Sequence, residues 1–185
     1  MLGVPVFLAF AIAVAAIAAY FDWRTGHIPD RVTLVPLAIA PLAHFALQFV
    51  HSASLHQGID AAGSSVLGAV ACALVPITIW RMNSDAMGGG DIKLLAALGA
   101  ILRPLAGVEA VLYAFIAAAV FACGRLAYQG KLSRMIGNTL VLALNPILPK
   151  HRRREVSPAM LTPMRFGPAI FVGTCCAALT NWRPQ

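Results

Sequence analysis

Two aspartates stand beside long apolar runs, where a carboxylate is costly. Asp22 closes a run that begins at Leu2, and Asp91 opens another after Gly88-Gly89-Gly90. Ionisable groups at the depth of a bilayer are expensive and are retained chiefly for function. Two carboxylates that meet cannot both ionise cheaply, so they share a proton. One then accepts a proton from water as the water attacks an amide carbon. The other donates to the carbonyl oxygen and then helps the amine leave. This chemistry calls for no nucleophilic side chain, no metal and no cofactor. The glycines serve it in two ways. Lacking side chains, they let a substrate strand approach the backbone, and they permit unusual dihedrals before a helix. Taken singly, a glycine run is an ordinary loop and the Asp after it an ordinary N-cap. It is the pair that carries the chemical reading.

The elements that must position this pair are membrane helices. The chain has 185 residues, 59% hydrophobic and 11% charged, against roughly 25% charged in a soluble domain. A spanning helix needs about 20 mainly apolar residues. Segments 2–21, 32–50 and 61–80 meet that need, the second with Pro36 and Pro41 as kinks. Segment 91–102 is shorter and is ended by Pro104 and Gly107. Segments 108–128 and 167–182 complete the set. The expectation is an all-α polytopic protein, about six transmembrane helices in one bundle forming a single domain over residues 1–185. A basic loop at about 129–165 holds an interfacial apolar segment at 135–148.

The charge distribution orients this layout. The net charge is +7. Of fourteen Lys and Arg residues, all but Arg103 and Arg183 fall in or beside the first, third and fifth loops. The positive-inside rule places those loops in the cytoplasm and both termini outside. The run from Lys150 to Arg154 is then a topology and anionic-lipid signal. No aromatic platform or nucleic-acid module accompanies it, so nucleic acid is not an expected partner. In this topology Asp22 ends an inward helix and Asp91 starts an outward one. They share a depth at the cytoplasmic face, at opposite ends of their helix dipoles.

The remaining polar residues read plainly. His44, His51 and His56 cluster near the second loop as ordinary solvated histidines, and the last two lack the i, i+4 spacing of a helical zinc pair. His27 is a polar loop residue. Cys72, Cys123, Cys175 and Cys176 all lie in apolar runs without a C-x-x-C pair and read as small buried hydrophobes.

Three stretches in order resemble the type IV prepilin peptidases, membrane aspartyl proteases of the GxGD class, and most of all their short Flp/Tad-type members. The first runs from Asp22 to Asp30 and continues through Val32-Thr33-Leu34. The second is Gly88-Gly89-Gly90-Asp91-Ile92-Lys93-Leu94. The third is Phe166-Gly167-Pro168-Ala169, opening the last helix. The resemblance implies a bacterial inner-membrane endopeptidase that removes a short basic leader from prepilins or pseudopilins. It cuts at the cytoplasmic face, after a small residue that is usually glycine. It implies Asp22 and Asp91 as the catalytic pair. Gly88, Gly89, Gly90 and Pro29, with Gly167 and Pro168, become substrate-binding or loop-shaping residues. Lys93 becomes a residue that orients or tunes Asp91. Asp30 lies in the first motif but is not carried over as catalytic; it reads as a polar residue that caps its loop. The cytoplasmic domain with paired cysteines found in longer members has no counterpart here, so N-methylation is not expected.

Two other classes use the same anomaly differently. A transporter would employ the carboxylates as a proton or cation site, but the chain has no clear inverted repeat, and both aspartates lie near one face. A structural subunit of a secretion machine would tolerate losing them.

Overall fold

The structure, a computed structural model, describes residues 3–82, 87–128 and 165–182. Those residues form helices and their connections, with no strand among them. The helices are α1 (Gly3–Thr25), α2 (Asp30–Ser52), α3 (Leu55–Met82), α4 (Gly89–Tyr128) and α5 (Gly167–Asn181). The first four are long and apolar enough to cross a membrane, and α5 is a shorter apolar helix. The chain divides into two compact units, Met1–Ala118 with Arg165–Gln185, and Ala119–Met164. Of the second, the described part is the end of α4, residues 119–128. The interfacial segment expected at 135–148 and the basic run at 150–154 lie outside the described residues.

The 40 residues of α4 would make a straight rod about 60 Å long, about twice the hydrocarbon thickness of a bilayer. They do not run straight. Arg103 takes φ 66° and ψ 174°, a conformation that favours glycine, and Pro104 cannot continue the preceding turn. A methyl group at Gly107 would stand 3.1 Å from the Gly99 Cα, where a straight helix would hold the two residues about 12 Å apart. The chain therefore folds back on itself as a hairpin with arms 89–102 and 104–128. The sequence expectation of two segments, 91–102 and 108–128, corresponds to these arms. With α1, α2, α3 and α5 they make six apolar helical segments among the described residues, an all-α polytopic membrane bundle.

The first arm is the centre of the packing. Leu94, Leu95, Leu98 and Ile101 are almost completely buried, the pattern of a helix apolar on all sides. Gly68 of α3 lies against Gly99 so closely that a side chain on either would strike the other's carbonyl oxygen. Small residues are what permit such approach between membrane helices. In the same way Gly173 of α5 seats on Ala110 and Ala114 of the second arm. Helix α1 packs on α5 and α2, and α2 packs on α3. Outward faces carry Leu42, Val50, Leu67 and Leu74, all more than half exposed, as suits contact with lipid. Cys72 is buried in the glycine contact, but Cys123 and Cys176 are exposed, so the expectation of four buried cysteines fails for those two.

A helix of 14 residues rises only about 21 Å. The first arm therefore ends inside the bundle, and its last carbonyls need donors there. Ser65 Oγ donates to the Ala100 carbonyl at 2.7 Å, and His44 Nε2 donates to the Ile101 carbonyl at 3.0 Å. The Arg103 Nε–H donates to Ser64 Oγ at 2.9 Å. His44 also stacks on Phe7, with ring centroids 3.8 Å apart. The expectation of a solvated His44 is thus overturned: it is buried, and it caps a helix whose end reaches it from 57 positions away in sequence. His51 and His56 remain exposed, the latter 2.9 Å from Asp60. Replacing His44 with Leu leaves the Ile101 carbonyl without its donor. It should cost about 1–2 kcal/mol of stability, read as a lowered thermal midpoint in detergent, and His44→Gln should recover part of it.

Candidate active site

Asp22 is buried because of where its helix periodicity puts it. Leu8, Ala11, Ala15 and Ala18 form the buried stripe of α1, and Asp22 is the next position at the i+4 interval. The helix stops four residues later. Gly26 takes φ 68° and donates its N–H to the Asp22 carbonyl at 2.9 Å, a glycine C-cap. Thr25 Oγ1 returns to the Phe21 carbonyl at 2.8 Å. His27 is exposed beside this cap.

The Asp22 side chain faces the start of α5. Its Oδ2 accepts the Gly167 N–H at 2.8 Å. A methyl group at Gly167 would stand 2.7 Å from the Asp22 Cβ, so only glycine permits the contact without displacement. Pro168 occupies the first turn of α5, where its missing N–H costs nothing. Phe166 and Phe115 pack with ring centroids 5.4 Å apart, and Arg165 donates to the Trp23 carbonyl. The expected dipole contrast between the aspartates is therefore incomplete. Asp22 ends α1, but its carboxylate also meets the N-terminus of α5, where free N–H groups favour an anion.

Asp91 lies in the first turn of α4, whose opening is held by the Gly88 carbonyl. That oxygen accepts the N–H groups of Asp91 at 3.1 Å and Ile92 at 3.4 Å. The three glycines differ in what surrounds them. A methyl group at Gly90 would stand 3.3 Å from the Ile28 Cβ, one at Gly88 would stand 3.2 Å from Asp91 Oδ2, and one at Gly89 would meet nothing within 4 Å. None of them has positive φ; among described glycines only Gly26 does. The expectation of unusual dihedrals at Gly88 to Gly90 is overturned. What the run supplies at Gly90 is close approach to the α1–α2 turn. Asp91 is half-buried, at the same end of the bundle as Asp22.

Asp30 and Lys93 join the two motifs. Lys93 Nζ stands 2.7 Å from Asp30 Oδ1, across the junction of α4 and α2. Asp30 was expected to cap its loop. Instead Pro29 is the N-cap of α2, with no side-chain capping bond, and the Asp30 carboxylate goes to Lys93. Below it, Thr33 Oγ1 donates to the Asp30 carbonyl at 3.1 Å.

Glu109 belongs to no motif and makes a polar contact that local pattern does not reveal. Its Oε2 accepts Asn181 Nδ2 at 2.6 Å, pinning the second arm of α4 to the far end of α5. Its one signal in the sequence is that it is the one acidic residue of the run 108–128. Among the described residues no three His, Cys, Asp or Glu side chains group as metal ligands.

The first motif, the second motif and the start of α5 thus lie at one end of the bundle, with Asp22 in contact with Gly167, Ile28 with Gly90, and Asp30 with Lys93. A buried carboxylate held by a backbone N–H, beside a second carboxylate, is suited to passing protons to and from a bound amide and water. Residues 9–123 match the family model described as the type IV leader peptidase family. No curated protein and no solved structure matches the chain.

Proposed function

This chain belongs to the type IV leader peptidase family, and from that premise we propose that it is a two-aspartate endopeptidase that matures prepilins or pseudopilins. The observation that supports the reading is the convergence of the three motifs at one end of the bundle, where Asp22 Oδ2 accepts the Gly167 N–H, Gly90 packs on Ile28 and Lys93 meets Asp30. Water bound between the carboxylates loses a proton to the ionised one as its oxygen attacks the scissile carbonyl carbon. The protonated carboxyl gives its proton to the carbonyl oxygen, leaving a neutral tetrahedral diol. Proton return to the nitrogen then breaks the C–N bond, and the products are a carboxylic acid and an amine.

The substrate in this reading is a hydrophobic helix preceded by a short basic leader, cut after a small residue, usually glycine. The aspartate end faces the cytoplasm of a bacterial inner membrane, as the distribution of Lys and Arg supports, and both termini lie outside. The basic run at 150–154 contacts anionic lipid.

The test is coexpression with a candidate prepilin, following leader removal by wild type and by Asp22→Asn. Removal by the wild type alone supports the reading. Ion flux in proteoliposomes without proteolysis would instead favour a carboxylate-based transporter. Because both proton transfers run through side chains of the chain itself, a divalent-metal chelator should leave the cleavage rate of the purified enzyme unchanged. Loss of cleavage on chelation, restored by added metal, would overturn the two-aspartate mechanism.

A further inference from the structure

Two contacts connect the segment 28–30 with the opening of α4. The Gly90 backbone lies against the Ile28 side chain and near its carbonyl oxygen. Lys93 Nζ bonds Asp30 Oδ1 at 2.7 Å. Ile28, 3% exposed, anchors the segment in the core. The residues so held flank Asp91 in sequence, Gly90 directly before it and Lys93 two positions beyond it. The segment holding them is the turn that follows Asp22. It begins at the Gly26 cap, whose N–H is bonded to the Asp22 carbonyl.

The ion pair is a poor stabiliser of the fold. Its two side chains are 42% and 58% exposed, and water and salt screen such a pair. Geometry gives it another use. Residues 91 and 93 project about 200° apart around a helix, so Lys93 does not share the face of Asp91. A lysine drawn to Asp30 fixes the rotation of the first turn of α4 and with it the direction of the Asp91 side chain. We infer that Asp30 and Lys93 are positioning residues, their ion pair strapping the start of α4 to the α1–α2 turn so that Asp91 faces Asp22. This rests on the two-aspartate reading and adds to it what sets the separation of the pair.

Two measurements test the strap, one of them independent of catalysis. In a background with the four native cysteines replaced by alanine, Asp22→Cys and Asp91→Cys are joined by a short thiol-specific cross-linker. Lys93→Met or Asp30→Asn should lower the cross-linking yield severalfold, and the exchange Asp30→Lys with Lys93→Asp should restore it. An unchanged yield in either single variant overturns the inference, whether or not any prepilin is cut. With the aspartates intact and a prepilin that the wild type cleaves, each single variant should lose about tenfold in kcat, as expected for a small misplacement of a reacting group. KM and the thermal midpoint should stay near wild type, and the exchange should recover most of the rate. A loss confined to KM, a matching fall in thermal midpoint, or an exchange no better than the singles would each overturn it. If the wild type cuts no prepilin, the proposed function fails, and the cross-linking still decides the strap.

Discussion

Asp22→Asn and Asp91→Asn should each lower the rate of leader removal by about 10³-fold or more, in a protein that still inserts and folds. The substitution keeps size and shape. At position 22 the amide oxygen can still accept the Gly167 N–H that now bonds Oδ2 at 2.8 Å. The buried stripe of α1 is otherwise untouched, so packing gives no reason for unfolding. What disappears is the capacity to hold and release a proton. An amide cannot accept one from attacking water at neutral pH, and it cannot return one to the leaving amine. In the proposed mechanism the two groups act as one proton-sharing unit, so the double variant should be scarcely slower than either single. Single-turnover cleavage of a prepilin in mixed micelles, beside thermal melting of the same samples, measures both points. Full activity in either folded variant would sink the two-aspartate mechanism. It would also revive the structural-subunit reading, which tolerates loss of both carboxylates.

How much of this was legible in the sequence depends on distance along the chain. Local signals carried far. The i+4 interval from Ala18 reaches Asp22, and Pro104 with Gly107 foretold the break that folds α4 into two arms. Apolar length alone gave the order of the six segments. The misreadings share a cause. His44 looked solvated because the carbonyl it caps belongs to Ile101, and only the hairpin brings that carbonyl inside the bundle. Asp30 looked like a loop cap because its partner, Lys93, lies 63 residues away. The glycines before Asp91 were credited with dihedral freedom, although the one described glycine with positive φ is Gly26. Periodicity and capping preferences speak of near neighbours. They say nothing of which helix end will abut which, and that is what sets the surroundings of Asp22.

Gly167→Ala carries the second large effect, and it separates positioning from chemistry. The added methyl group would stand 2.7 Å from the Asp22 Cβ and 2.8 Å from Oδ2. Carbon atoms do not settle at such distances, so either the start of α5 retreats or the Asp22 side chain rotates away. Retreat is opposed along the rest of the helix, because Gly173 is seated tightly on Ala110 and Ala114, and Asn181 is tied to Glu109 at 2.6 Å. The side chain is the softer element. Its rotation breaks the bond from the Gly167 N–H and displaces the carboxylate. Overpacking of this kind costs about 1–3 kcal/mol. A reacting group displaced by about 1 Å can lose about 10²-fold in rate. The expected result is therefore a folded protein with a modestly lowered thermal midpoint and a kcat down by about two orders of magnitude. Gly63→Ala in α3 is the control: a methyl group there meets nothing within 4 Å, so kcat should stay at the wild-type value and the thermal midpoint should not fall, since Ala favours a helix interior over Gly. If Gly167→Ala loses activity only in proportion to the fraction unfolded, Gly167 serves the packing of α5 alone. If it keeps full activity, the hydrogen bond from its N–H does not hold Asp22 in its working position.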